Sequence, residues 1–194
     1  MFCQNIDEHY KPFGSGLPRS PSLHLTDIIR SLQSSLGLGK VAQGWEMSVC
    51  ADIGFLWEDA FSLAYRDKWS GMIHRPGELT LDGITGSPDG WGPDPLGKVP
   101  FANHELKCTW RSFNRRPEDD FYWMTQFKCY CKMMSAAAGG VPMTVTCLHV
   151  FYMVGNYKGS GPKHAHHRFE FEQHEIDTAW GMVVRHAREK GLLK

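Results

Sequence analysis

A chain of 194 residues is long enough for one domain with a real hydrophobic core, and 42% hydrophobic against 22% charged residues argues against disorder. A formal net charge of zero excludes a general polycation that coats nucleic acid, and no apolar run approaches the roughly 20 residues of a membrane helix. The charge is unevenly spread: residues 1–97 carry a balance of −5 and residues 98–194 one of +5, with seven of the ten histidines in the second half. A local basic face opposite an acidic pocket is compatible with that drift, and so is plain surface charge.

Residues 1–22, rich in Gly, Pro and Ser, read as an irregular arm. The opening MFCQNIDEHYKPF lacks the basic-then-apolar layout of a secretory signal, so an intracellular protein is expected. LTDIIRSLQSSLG predicts a helix capped by Thr26 or Asp27, with Ile28, Ile29 and Leu32 on one face and Gly37 at its end. CADIGFLWEDAFSLAYRDKW predicts a largely buried helix, with Phe55, Ala60, Phe61, Leu63 and Ala64 along one broad side. GELTLDGITGSPDGW predicts a strand pair closing at Pro88-Asp89-Gly90, and FANHELKCTWRSF a further strand.

A long helix is expected from about Asp119 to Ala138, stopped by Gly139-Gly140. MTVTCLHVFYMV is the clearest strand, β-branched and aromatic throughout. HHRFEFEQ reads as a short strand and EIDTAWGMVVRHAREKG as a closing amphipathic helix. With no repeat and no linker, the order implies a single domain over 1–194, an α/β sheet with helices packed against it.

The six cysteines, Cys3, Cys50, Cys108, Cys129, Cys131 and Cys147, contain no CxxC pair and read as reduced structural thiols. Chemistry is concentrated instead at strand ends. In HELK, Glu105 and Lys107 project from one face of a strand, while Leu106 points away. Asp89 lies sixteen residues before Glu105, where Pro88 and Gly90 bend the chain. If the two strands are neighbours, both carboxylates meet at one ion. Hard oxygen donors, with the Leu106 carbonyl as a further ligand, suit Mg²⁺ or Mn²⁺. Lys107 would then orient water and offset developing charge. Taken singly, Glu-x-Lys also describes a solvated surface pair, and Pro-Asp-Gly a plain turn.

The ordered set GSPDG then HELK resembles the PD-(D/E)XK nuclease superfamily. Two additions are similar to its RecB-like and phage (lambda-type) exonuclease branch: GFLWE, with Gly54 and Glu58 in G-x-x-x-E, and QFKCY, with Gln126 and Tyr130 in Q-x-x-x-Y. A spacing of four puts Gln126 and Tyr130 on one helix face. The resemblance implies a restriction-endonuclease-like core, a central mixed β-sheet flanked by helices.

It also implies a metal-dependent DNA nuclease, most simply an exonuclease of phage or bacterial recombination, replication or repair. In that reading Asp89 and Glu105 ligate the metal, Glu58 binds it directly or through water, and Lys107 serves the nucleophile. Gln126 and Tyr130 position Lys107 or the DNA. The alternatives are a structure- or sequence-specific endonuclease on the same fold, and a nucleic-acid-binding module that does not cleave. Glu58 as a helix-surface charge, and Gln126 and Tyr130 as packing residues, also stay open.

The iron–sulfur cluster of some relatives needs three cysteines after the nuclease motifs, and none follows Cys147, so no cluster is expected. For DNA contact the candidates are Arg111, Arg115, Arg116, Lys128, Lys132 and Lys158, with Trp91, Trp110 and Trp123 for stacking or core packing. His164, His166, His167 and His174 could in principle bind zinc, but their spacing fits no common finger, and a loop that meets DNA phosphate, or no site at all, is the stronger reading. The resemblance further implies a cytoplasmic setting in a bacterial or phage-infected cell. It allows a homo-oligomer and recombination or replication partner proteins, with no membrane.

Overall fold

The computed structural model describes residues 20–38, 52–61, 74–153 and 163–193. Its elements are β1 (Leu23–His24), α1 (Leu25–Ser35), α2 (52–61), β2 (Leu79–Leu81), β3 (Ile84–Gly86), β4 (Gly90–Gly92), β5 (Ala102–Thr109), α3 (Phe121–Ala137), β6 (Val145–Tyr152), β7 (Lys163–Glu170) and α4 (Gln173–Glu189). Among these residues no helix is long and apolar enough to cross a membrane.

Two mixed sheets, rather than one, carry the fold. The small sheet has the order β1-β3-β2 and the large one β4-β5-β6-β7. The division falls at Ser87-Pro88-Asp89, between β3 and β4. Proline has no N–H for a ladder and a fixed φ, so the chain turns out of one sheet and enters the other. The strand pair closes earlier than expected, at Asp82-Gly83, where both residues have positive φ (51° and 78°) as a two-residue primed turn demands. Trp180 Nε1 donates to Asp82 Oδ2 at 2.8 Å and ties that turn to α4.

Helix α1 buries Leu25, Ile28, Ile29 and Leu32 at helical spacing and ends before Gly37 (φ 68°). Its N-cap is His24, with no side-chain cap bond, so the cap expected from Thr26 or Asp27 is not formed. Helix α3 starts at Asp120, whose side chain accepts the Trp123 N–H at 3.0 Å. Helix α4 starts with a reciprocal capping box between Glu172 and Glu175.

The central pair β5–β6 is parallel and needs a crossover, which α3 provides. Phe127, Cys131, Leu148, Val150 and Ile176 join α3, β6 and α4 in one core. Ile29, Ile84, Met133, Trp180 and Val183 join α1, the small sheet, α3 and α4 in another. Helix α2 is less buried than its composition predicts: Phe55 and Leu56 are exposed, and Phe61 carries the packing. Leu63 and Ala64 lie outside the described residues.

Candidate active site

Strand β4 pairs with β5 only through Gly90↔His104, Trp91↔Asn103 and Gly92↔Ala102, so the edge of β5 beyond His104 has no strand beside it. The Asp89 side chain takes that place. Its Oδ2 accepts the Leu106 N–H at 2.8 Å. Within a strand, the N–H and C=O of one residue face the same side. The Leu106 carbonyl therefore looks onto the edge where the Asp89 carboxylate sits.

One residue to either side of Leu106, the side chains project from the opposite face. Lys107 Nζ donates to Glu105 Oε2 at 2.7 Å and lies 3.6 Å from Asp89 Oδ2. The Glu105 side chain is fully buried, and its Oε1 has no hydrogen-bond partner. Burial and the neighbouring Asp89 carboxylate push Glu105 up to about 8, against the pull of Lys107. The same acids hold Lys107 well above the ordinary lysine range, outweighing its own burial. Glu58, brought in by α2, lies 3.5 Å from Arg75 and is raised to about 7 by burial and then by Asp89.

Helix α3 closes the site from the side. Gln126 Nε2 donates to the Tyr130 hydroxyl at 3.1 Å, and Gln126 Oε1 is buried without a partner. Tyr130 is pushed up by burial and by Glu105. Gly86 lets β3 press on this point of α3, since a Cβ there would lie 2.9 Å from both Tyr130 Cε1 and Met133 Sδ.

Asp89, Glu105 and Lys107 thus share one neighbourhood within electrostatic reach of Tyr130, and Glu58 feels Asp89 and Lys107. The three carboxylates converge more loosely than expected. Among the described residues, only His149, His164 and His166 bring three candidate ligand atoms within 4.8 Å of one another. Like charges repel, and the Lys107 ammonium occupies the space between Glu105 and Asp89. Asp89, Glu105 and Glu58 face the Lys107 ammonium, with Arg75 beside Glu58, and one oxygen of Glu105 has no partner. That donor set fits a hard divalent cation.

The basic residues do not gather around these acids. Arg111 pairs with Asp120 and lies 5.0 Å over the Trp123 ring. Arg116 pairs with Glu118 at 2.6 Å. Lys128 and Lys132 reach Glu175 and Asp177 on α4, at 3.0 and 2.7 Å, from the side of α3 turned away from Gln126 and Tyr130. Arg115 is exposed beside Arg111, and Lys158 lies outside the described residues. Trp91 stacks on His74, Trp123 is buried, and Trp110 is exposed. The thiols of Cys129 and Cys131 are buried, and burial raises both, Cys131 to about 12. Arg75 was not singled out from sequence, because only the folded chain sets it beside Glu58.

No protein-family model and no curated protein matches the sequence. Solved structures do match its shape. The crystal structure of SSO0001 superposes with a TM-score of 0.51 at 14% identity, covering 88% of this chain and 79% of the other. LHK-Exo, an alkaline exonuclease from Laribacter hongkongensis solved in complex with dAMP, superposes at 0.50 and 13% identity, covering 87% of each chain. The chain shares the fold of these structures, an exonuclease among them. At these identities the likeness establishes the fold and leaves chemistry to the residues.

Proposed function

We propose that this chain is a divalent-metal-dependent deoxyribonuclease that removes nucleotides from DNA ends. The observation that carries the reading is the arrangement around Leu106. Asp89 binds its N–H, and Lys107 spans Glu105 and Asp89, in a fold shared with an exonuclease solved with a nucleotide. Asp89, Glu105 and the Leu106 carbonyl would hold Mg²⁺ or Mn²⁺, with Glu58 directly or through water. The cation, when bound, polarises the phosphodiester and acidifies water.

The chain's own groups do the rest. Asp89 and Glu105 fix the register of the scissile phosphate. Lys107, held as an ammonium, donates to the attacking oxygen and to the phosphoryl oxygens as charge builds on them. An ammonium has no lone pair, so Lys107 does not take the proton of the water. The proton of the water would pass to solvent, and Glu58 keeps its place beside the ion in this reading. Gln126 and Tyr130 hold the Glu105–Lys107 pair in place, and Arg115 tracks the DNA backbone.

End-labelled linear DNA and circular DNA, incubated with Mg²⁺, Mn²⁺ or EDTA, test the proposal. Metal-dependent loss of linear DNA alone is the expected result. Nicking of circles would indicate an endonuclease on the same fold, and DNA retention without cleavage would replace the enzyme by a binding module.

A further inference from the structure

Three imidazoles meet on the face of the large sheet turned away from Glu105 and Lys107. Across β6 and β7, His149 lies directly opposite His166, and His164 is two residues along β7 on the same face. Directly opposed side chains in an antiparallel pair stand about 4.5–5.5 Å apart at Cβ. The register thus brings one nitrogen of each of His149, His164 and His166 within 4.8 Å of the others. The rings of His149 and His166 are 4.7 Å apart, and those of His164 and His166 4.3 Å.

The hydrogen bonds behind His149 set its tautomer. The Pro93 carbonyl accepts from His104 Nε2 at 3.1 Å, so the proton of a neutral His104 is on Nε2 and its Nδ1 is an acceptor. His149 Nε2, 2.9 Å from that Nδ1, must then be the donor. A neutral His149 therefore presents the lone pair of Nδ1 toward His166, whose Nδ1 lies 2.7 Å away. Both His104 and His149 are buried, which keeps them neutral. A ligating histidine whose far N–H is anchored by a second group, itself anchored by a carbonyl, is the arrangement that orients an imidazole for a metal.

We propose that His149, His164 and His166 form a binding site for a borderline divalent transition metal of the Zn²⁺ class, with His104 as its positioning residue. Tetrahedral Zn–N bonds of about 2.0–2.1 Å set ligand nitrogens roughly 3.3 Å apart. That value lies between the 2.7 Å of the His149–His166 pair and the 4.8 Å that encloses all three. His164 and His166 are exposed, so small ring rotations close the difference. His166 moves its proton to Nε2 when Nδ1 takes the ion, a tautomer change without net charge. Imidazole donors select this class over Mg²⁺, which prefers oxygen. Three protein ligands leave a fourth coordination position for water. Trp57 and Phe61 of α2 wall the site, with ring centroids 5.2 and 5.8 Å from His164.

The test is titration of the EDTA-treated, re-dialysed full-length chain with Co²⁺ under saturating Mg²⁺, which occupies the carboxylates. The readout is the visible absorption of tetrahedral cobalt, with Zn²⁺ calorimetry for stoichiometry. One equivalent with an intense visible band is expected. His164→Ala and His166→Ala, both at exposed positions, should abolish the band, and His104→Gln should weaken affinity about 10- to 100-fold. Asp89→Ala and His174→Ala should leave it unchanged. Absence of the band in the parent chain, its survival in the His164→Ala/His166→Ala double variant, or its loss in Asp89→Ala would overturn the proposal.

Discussion

The two faces of the large sheet hold buried polar clusters of opposite kinds. On one, Glu105 and Lys107 meet Asp89 at the edge; on the other, His104 and His149 form a neutral chain that ends on the Pro93 carbonyl. The first is held by the Lys107 ammonium between Glu105 and Asp89, with Arg75 beside Glu58, and leaves one Glu105 oxygen without a partner. The second is stabilised by tautomer choice and needs no ion to be internally consistent. A buried charge can be satisfied only by another charge or a metal, whereas an imidazole can adapt by relocating one proton.

The strongest way to break this contrast is Asp89→Ala. We expect DNA cleavage to fall to background and the calorimetric Mn²⁺ isotherm to flatten. The orphaned Leu106 N–H should cost about 1–3 kcal/mol of stability in urea denaturation. Unchanged Mn²⁺ affinity would remove Asp89 from the ligand set. Lys107→Ala comes next. Turnover should drop about 10²- to 10³-fold, while Mn²⁺ still binds, because a positioned cation is lost and the oxygen donors remain. His164→Ala, on the other face, should leave cleavage rates intact.

The contrast sharpens with pH. Glu58 and Glu105, raised from 4.5 to about 7 and about 8, bind protons more tightly folded than unfolded. EDTA-treated protein should therefore lose stability as pH rises from about 4.5 toward 8. His104 and His149, lowered from 6.5 to about 4 and about 2, bind protons less tightly folded, so their contribution is lost as pH falls below 6.5. The two trends oppose each other between 4.5 and 6.5, leaving an alkaline limb owed to the acids and an acid limb owed to the histidines. Saturating Mg²⁺ should flatten the alkaline limb alone in thermal melts. A Mg²⁺ effect of equal size at pH 5 and pH 8 would contradict this assignment.

The smallest expected effect is that of Tyr130→Phe. It removes one neutral hydrogen bond to Gln126 and should cost about 1 kcal/mol or less, read by urea denaturation.

The acid–lysine face was largely legible in sequence because each part sits within one element. HELK alternates along a single strand, Gln126 and Tyr130 share a helix face, and Pro88 marks the bend that delivers Asp89. The histidine face was not. His149 and His166 are seventeen residues apart and meet only through the register of β6 on β7. The stretch KHA lies outside the strand expected from HHRFEFEQ, yet β7 opens at Lys163, three residues earlier. Lys128 and Lys132 were misleading for a related reason. Their acidic partners lie on α4, whose packing against α3 no local pattern reports. The break into two sheets depends on one proline whose consequence is tertiary.

A single turn of α2 reaches both clusters. Trp57 stacks on Phe151 at 4.8 Å, Phe61 lies 4.6 Å from the His149 ring, and Glu58 between them in sequence feels Asp89 and Lys107. That turn is a shared border: its rings pack on one cluster and its carboxylate feels the other. A substitution that moved its backbone would be read at both clusters, whereas truncating one side chain on either face leaves the other's contacts in place.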